Sequence, residues 1–164
     1  MTELEWAVIR IRAQIQLLDW AAQELLHDEA PRVLELELGN GRTYDHLRQR
    51  LPKARIDVFD REMKGKLSSR PPDEHFFAGE LDETLTTYEP KGEAALIHAD
   101  LGTGDPEHEK KIAVLLIDKL PMLARDRCLV ISSTELVDEA FAPEPLSDYD
   151  RQSRYHAYRI VRTA

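Results

Sequence analysis

The chain has 164 residues, of which 42% are apolar and 32% charged, and its formal net charge is −9. This length fits one domain with its own core, so we predict a single domain over residues 1–164. The acidic balance disfavours a broad nucleic-acid surface, although residues 151–164 contain four arginines and no acid. No apolar run reaches the about 18–20 residues that cross a bilayer, and the N-terminus is unlike a signal peptide. With one cysteine, Cys128, the chain forms no internal disulfide, and we expect a cytoplasmic protein.

Residues 4–26 carry apolar side chains at three- and four-residue spacing, which predicts an amphipathic helix within an N-terminal segment, residues 1–27. The helix ends before Pro31, since the residue before a proline avoids helical angles. The face predicted to be buried consists of Leu4, Val8, Ile11, Ile15, Leu18, Ala22 and Leu25.

The following segments alternate between strand and helix patterns, with a loop predicted over residues 64–75. Such alternation predicts an α/β fold in which a mostly parallel sheet is covered by helices on both faces. Ligands of such sheets bind at the carboxyl ends of the strands. The predicted strands are residues 33–38, 56–59, 76–78, 94–99, 129–131 and 155–161, and the predicted helices are residues 43–51, 81–88 and a helix that opens at 105–107.

The C-terminal part, residues 136–164, is predicted to contain a lid and a terminal strand. Between residues 135 and 153 there is little room for a further helix and an antiparallel strand pair, and Pro143 and Pro145 interrupt this stretch. We therefore expect a reduced sheet. Residues 141–149 would form a substrate lid or pack against another subunit of a homo-oligomer.

A glycine-bracketed turn follows the first predicted strand, and an acid follows the second. The turn is Gly39-Asn40-Gly41, where a Cβ at either glycine would obstruct the turn or a ligand. Asp60 closes the second strand, where a carboxylate accepts both hydroxyl hydrogens of a ribose. This pattern predicts a nucleotide-binding site. The dinucleotide fingerprint would need a third glycine where Tyr44 stands, so an NAD-binding oxidoreductase is the less favoured enzyme class.

The residues around this turn resemble motif I of the class I methyltransferases that use S-adenosylmethionine. Glu37 stands two residues before Gly39, and Thr43 replaces a third glycine. Residues 36–47, 58–61 and 98–104 are similar to a small bacterial family of such methyltransferases with no assigned substrate. The resemblance implies a Rossmann-like class I methyltransferase sheet with a shortened C-terminal part, a cofactor-binding core over residues 32–135, and S-adenosylmethionine as the cofactor.

The resemblance assigns roles to the candidate cofactor-binding residues. Glu37 is expected to hold the ammonium group and Asp60 the ribose hydroxyls, with Glu62 as the alternative if the strand runs longer. Arg61 is expected beside adenine, where its guanidinium stacks or points away. Glu80 is expected near the adenine amino group or, alternatively, as a solvated surface acid. The residues expected along the methionine and ribose part are Gly39, Asn40, Gly41 and Thr43.

The candidate catalytic residues, His98 and Asp100, end the fourth predicted strand. His98 is a candidate general base, since free imidazole titrates near neutral pH, or else a hydrogen-bonded structural histidine. Asp100 is expected to orient the cofactor's ammonium or the acceptor. Glu135 and Tyr149 are further candidate bases. We expect no metal, because Asp100 and Glu135 form an incomplete set of ligands for magnesium.

Glu35 conflicts with the pattern of a strand that is buried on both faces. It requires a partner, such as Arg32 or an arginine of the C-terminal tail.

The preferred interpretation is methyl transfer to a small-molecule acceptor. The acidic charge and the lack of an added recognition domain support a small acceptor over a macromolecule. The alternatives are an RNA or protein methyltransferase, which would use the arginine-rich tail or a partner, and a protein that binds S-adenosylmethionine without catalysis.

Overall fold

The computed structural model describes residues 1–162. Its strands are β1 (Arg32–Leu36), β2 (Arg55–Asp60), β3 (Phe76–Ala78), β4 (Ala94–Ala99), β5 (Ala124–Ser132), β6 (Phe141–Pro143) and β7 (His156–Ile160). Its α-helices are α1 (Glu3–Glu24), α2 (Arg42–Arg50), α3 (Leu81–Thr87) and α4 (Pro106–Leu123).

The seven strands form one sheet in the order β3-β2-β1-β4-β5-β7-β6. Strands β1 to β5 run parallel to one another, and β7 is antiparallel to both β5 and β6. The predicted α/β fold with a mostly parallel sheet is confirmed. The strand order changes direction between β1 and β4, the position at which open α/β sheets bind ligands beyond the carboxyl ends of their strands.

Each face of the sheet is covered by helices and has its own core. On one face, α1 and α2 bury Leu17, Leu18 and Leu47 against the sheet. On the other, α3 and α4 bury Leu85 and Leu116. Apolar strands that are covered on both sides give a rigid frame whose carboxyl edge stays in a fixed arrangement.

The expected reduction of the sheet is wrong. Phe141–Pro143 is an edge strand paired with β7, and Phe141 is buried, so these residues are no lid. What is short is the connection between β5 and β7, which contains one 3₁₀ turn at Arg151–Ser153 and no α-helix. Of the C-terminal part predicted as lid and terminal strand, residues 163 and 164 lie outside the described residues.

The predicted buried face of α1 is wrong for its N-terminal half. Leu4, Val8, Ile11 and Ile15 are exposed, and burial begins at Ala13. The predicted Leu18, Ala22 and Leu25 are buried, so the prediction holds for the C-terminal part of the helix and fails before it. The buried residues of the helix are Ala13, Leu17, Leu18, Ala21 and Ala22.

Two element boundaries also differ from the sequence prediction. Strand β1 ends at Leu36, two residues early, because Glu37 adopts a left-handed φ of 71°. Strand β5 begins at Ala124, five residues before the predicted start, because the exposed Asp126 and Arg127 conceal the strand pattern.

Candidate active site at the carboxyl ends of the strands

The turn after β1 is a tight loop in which Glu37, Gly39 and Gly41 have φ angles of 71°, 53° and 81°. A Cβ built on Gly39 would meet no protein atom within 4 Å, so this glycine keeps the loop open towards the cleft beside it. A Cβ on Gly41 would instead collide with the backbone carbonyl of Ser69. Gly41 is therefore required for packing against the 64–75 loop rather than for an approach to a ligand.

Asp60 holds this loop in place. Its Oδ2 accepts hydrogen bonds from the backbone N–H of Leu38 (2.9 Å) and Gly39 (3.2 Å), and its Oδ1 accepts one from Arg61 N–H (2.7 Å). Strands β1 and β2 are direct neighbours, which brings their carboxyl ends together. The sequence-predicted acid thus lies at the glycine loop, as the predicted nucleotide site requires.

A cleft of about 690 Å³ opens beside the loop. This volume lies within the usual range of small-molecule sites. It brings together five predicted site residues, and also Glu62. The five are Glu37, Gly39, Asp60, Arg61 and Glu80.

The cleft has a negative electrostatic character at Glu37. Partial removal of water from this carboxylate raises its pKa, and the nearby charges of Asp60 and Asp100 raise it further. Arg61 and His108 oppose this effect only in part. A carboxylate whose ionisation is disfavoured by burial and by two neighbouring acids marks a site that a cationic ligand would stabilise.

Arg61 and Glu80 close the outer rim of the cleft by pairing with each other. Nη2 of Arg61 donates to Oε2 of Glu80 at 3.0 Å, Nε lies 3.0 Å from Oε1 as an ion pair, and both side chains are largely exposed. This pair joins the residues that follow β2 and β3.

Four predicted residues lie away from this cleft, and a fifth, Asp100, does not line it either. Asn40 is exposed at the loop tip, Gly41 packs on Ser69, and Thr43 points back into the sheet. His98 is completely buried.

Thr43 and His98 belong to a buried polar cluster with Glu35. Oε1 of Glu35 accepts hydrogen bonds from Thr43 Oγ1 (3.0 Å) and, at 2.7 Å, from Nδ1 of His98. Burial opposes ionisation of His98, but the charge and hydrogen bond of Glu35 outweigh it and raise the pKa of the imidazole. The expected partners of Glu35, Arg32 and the tail arginines, are wrong: Arg32 instead pairs with Asp57 at 2.9 Å.

Asp100 lies at the end of β4 and is held by α1. Its carboxylate accepts hydrogen bonds from Arg10 (3.1 Å) and from Gln14 Nε2 (2.9 Å). Gln14 Nε2 is also 2.6 Å from the hydroxyl of Tyr155. The N-terminal helix is thereby attached to the carboxyl edge of the sheet.

A second cleft, of about 830 Å³, opens beside the loop of residues 102–104. Its walls come from α1, from the loop after β4 and from the segment before β7. The guanidinium of Arg154 lies 5.8 Å from the centre of the Trp6 ring, which is a cation–π contact. Other residues of this cleft are Arg10, Gly102, Thr103, Ser133, Glu135 and His156.

Several lining residues were missed by the sequence analysis. His108, Ile112 and Leu115 occupy one face of α4 and complete the cleft beside Glu37. The sequence did contain a signal for them: a spacing of four and three residues puts all three on one face of the helix that follows the N-cap, Asp105. Trp6 and Arg10 carried no comparable signal, since only the tertiary fold brings α1 to this edge.

A family model described as S-adenosyl-L-methionine methyltransferase matches residues 1–160. The crystal structure of an S-adenosyl-L-methionine methyltransferase from Silicibacter pomeroyi DSS-3 is 31% identical, with a TM-score of 0.88 over 97% of this chain and 99% of that one. The chain belongs to this S-adenosyl-L-methionine methyltransferase family. The resemblance drawn from the glycine loop and Asp60 is therefore confirmed.

More distant structures share the fold of this methyltransferase. The antibiotic-resistance methyltransferase Kmr is 12% identical, with a TM-score of 0.56 over 88% of this chain and 93% of that one. The Escherichia coli protein yhhF, described as a candidate methyltransferase, is also 12% identical, with a TM-score of 0.60 over 93% and 88% of the two chains. No curated protein matches the chain.

The chemistry of the loop cleft fits the cofactor of the family. S-adenosylmethionine carries a sulfonium and an ammonium against one carboxylate, and Glu37, Asp60 and Asp100 provide opposite charge. The open face at Gly39 leaves room for a ligand against the backbone. Within residues 1–162 of the methyltransferase, no helix is long and apolar enough to cross a membrane.

The buried Glu35–His98 pair of the methyltransferase predicts that loss of the Glu35 charge reverses the pKa shift of His98. In Glu35→Gln the partner charge is lost while the burial of His98 remains, so the pKa of His98 should fall from above to below its ordinary value. An NMR titration of histidine-labelled protein measures the pKa of His98. As the control, His27→Gln identifies the signal of an exposed imidazole in the same spectra. A His98 pKa that stays raised in Glu35→Gln would contradict the pairing.

Proposed function

We propose that this methyltransferase acts on a small-molecule acceptor that binds in the second cleft, next to the cofactor in the loop cleft. The observation that carries the proposal is that two consecutive residues after β4 line one cleft each. Leu101 lines the loop cleft, and the next residue, Gly102, lines the second cleft. Methyl transfer is an in-line displacement, so it requires neighbouring sites for the donor and the acceptor.

The loop cleft would hold the cofactor with its adenosyl part towards β2 and β3. Asp60 would accept the ribose hydroxyl hydrogens in addition to its loop contacts, and Arg61 with Glu80 would lie at the adenine end. Glu37 and Asp100 would face the ammonium and sulfonium. The apolar wall of Leu101, Ile112 and Leu115 would exclude water from one side of the adenosyl part.

The protein's main contribution to the reaction is alignment. S-adenosylmethionine, when bound, supplies a methyl group that is already activated by the positive sulfur. A lone pair on the acceptor atom forms the new bond to carbon while the carbon–sulfur bond breaks and its electrons remain on sulfur. If the acceptor loses a proton, Asp100 or Glu135 could receive it at a carboxylate oxygen, because both lie at or next to the second cleft.

His98 fits a positioning role better than the predicted role of a base. Its side chain has no exposed surface, and its Nδ1 is bonded to Glu35. Glu35 in turn holds Thr43 in the first turn of α2, directly after the glycine loop. His98 would thus act on the cofactor through the position of the loop.

The size of the second cleft supports a small acceptor. About 830 Å³ matches a site for a metabolite-sized ligand. Of the tail arginines, Arg151 and Arg154 line this cleft instead of forming a separate basic surface. A net charge of −9 is also unfavourable for an RNA substrate. The cytoplasmic location stays a prediction.

Asp60→Ala should weaken S-adenosylmethionine binding by about 1–3 kcal/mol, or roughly 5- to 150-fold in Kd, since charge-assisted hydrogen bonds are lost. Isothermal calorimetry measures the change. Glu62→Ala is the matched control, because Glu62 lines the same cleft two residues further along and should leave the Kd nearly unchanged. If Glu62→Ala loses more affinity for S-adenosylmethionine than Asp60→Ala, Glu62 and not Asp60 binds the ribose.

Trp6→Ala should impair the reaction at the acceptor and spare the cofactor. An unbiased metabolite screen for a mass gain of one methyl group identifies an acceptor, and the KM of that acceptor should rise about tenfold in Trp6→Ala, since an aromatic contact is lost. Trp20→Ala, outside both clefts, serves as the control after its folding has been checked. A raised Kd for S-adenosylmethionine with an unchanged acceptor KM would reverse the assignment of the clefts.

A further inference from the structure

Helix α1 carries an exposed apolar stripe along its N-terminal half. The stripe consists of Leu4, Val8, Ile11 and Ile15, which are 76%, 49%, 40% and 43% exposed. At 100° per residue these four side chains fall within about 60° around the helix axis and extend about 16 Å along it. Single exposed aliphatic residues are ordinary on a protein surface, but a row of four on one helix face marks an interaction surface.

We propose that this stripe is the interface of a homodimer in which α1 packs antiparallel against α1 of a second copy. A two-fold axis midway between Val8 and Ile11 places Val8 against Ile11 of the second copy. It also places Leu4 against Ile15, so that every member of the stripe faces an aliphatic side chain. An interface of this kind is self-complementary, as a two-fold dimer requires.

The charges beside the stripe support a second copy as the occupant. Glu5 and Arg12 lie on the same edge of the helix, and an antiparallel pair brings that edge against its own equivalent. Along the helix axis, Glu5 of one copy is then offset by about 3 Å from Arg12 of the other. The two-fold symmetry forms the same pair a second time. Arg12 has no ion-pair partner within residues 1–162, so its guanidinium can take this role.

The same charges disfavour a lipid surface as the occupant. An amphipathic helix that adsorbs to an anionic bilayer depends on lysine and arginine beside its apolar face. The chain instead has a net charge of −9, and the first turn of α1 holds Glu3 and Glu5.

The dimer would also fix one wall of the second cleft. Trp6 and Arg10 line that cleft from roughly the opposite side of the same helix half. Burial of the stripe would therefore hold both side chains in place.

Sedimentation velocity of the full chain over a concentration series tests the interface. We expect a dimer, and Val8→Glu should raise its dissociation constant at least about tenfold, since two glutamates would be buried beside apolar side chains. Val114→Glu is the matched control, because Val114 is a 69% exposed helical valine in α4, and it should leave the dimer intact. A monomeric wild-type chain, or a dimer that tolerates Val8→Glu, would overturn the proposal.

A charge exchange tests the antiparallel register. Glu5→Arg and Arg12→Glu should each weaken the dimer, and the double variant should restore it, because the reciprocal pairs form again with reversed signs. Circular dichroism checks helix content, since Glu5 also caps α1 through Thr2. Failure of the double variant to restore a folded dimer, or binding of the wild type to anionic phosphatidylserine vesicles as a monomer, would contradict this arrangement.

Discussion

The hydrogen bonds from the glycine loop to the carboxylate of Asp60 are the interaction on which the site depends. They fix the backbone after β1 to the end of β2, at a point where the chain has just left the strand through the left-handed Glu37. Because the loop is held by an acid, its surroundings are negative. Partial burial and then the charge of Asp60 raise the pKa of Glu37, and a cationic ligand relieves the repulsion.

The rest of the site follows from where neighbouring strands end. The loop cleft lies over β1, β2 and β3, and the second cleft begins one residue beyond its wall at Leu101. Asp100 precedes Leu101 in the chain and is bound to Gln14 and to Arg10, which lines the second cleft. The N-terminal helix thus supplies contacts to Asp100, a wall for the proposed acceptor and, on another face, the proposed dimer interface.

The parts of the site that were predictable are those encoded locally. Gly39 and Asp60 each follow a recognisable strand, and parallel pairing brings consecutive strand ends together. The bond between Glu35 and His98 was not predictable, because it joins residues 63 positions apart across β1 and β4. Apolar spacing located α1 but could not say where along the helix the predicted face becomes buried. Strand β6 was not predictable because it has three residues and ends in a proline. Only its pairing with β7 makes this segment a strand.

The central claim, that a carboxylate cluster around Glu37 receives the cationic cofactor, is tested most directly by proton-linked calorimetry. S-adenosylmethionine is titrated into the wild type and Glu37→Gln at about pH 5.5, in buffers of different ionisation enthalpy. Because the pKa of Glu37 is raised in the free protein, a cation beside it should lower that pKa and release protons to the buffer. The account predicts proton release by the wild type and a smaller release by Glu37→Gln. Equal proton release by both proteins, or none by the wild type on binding, would contradict it.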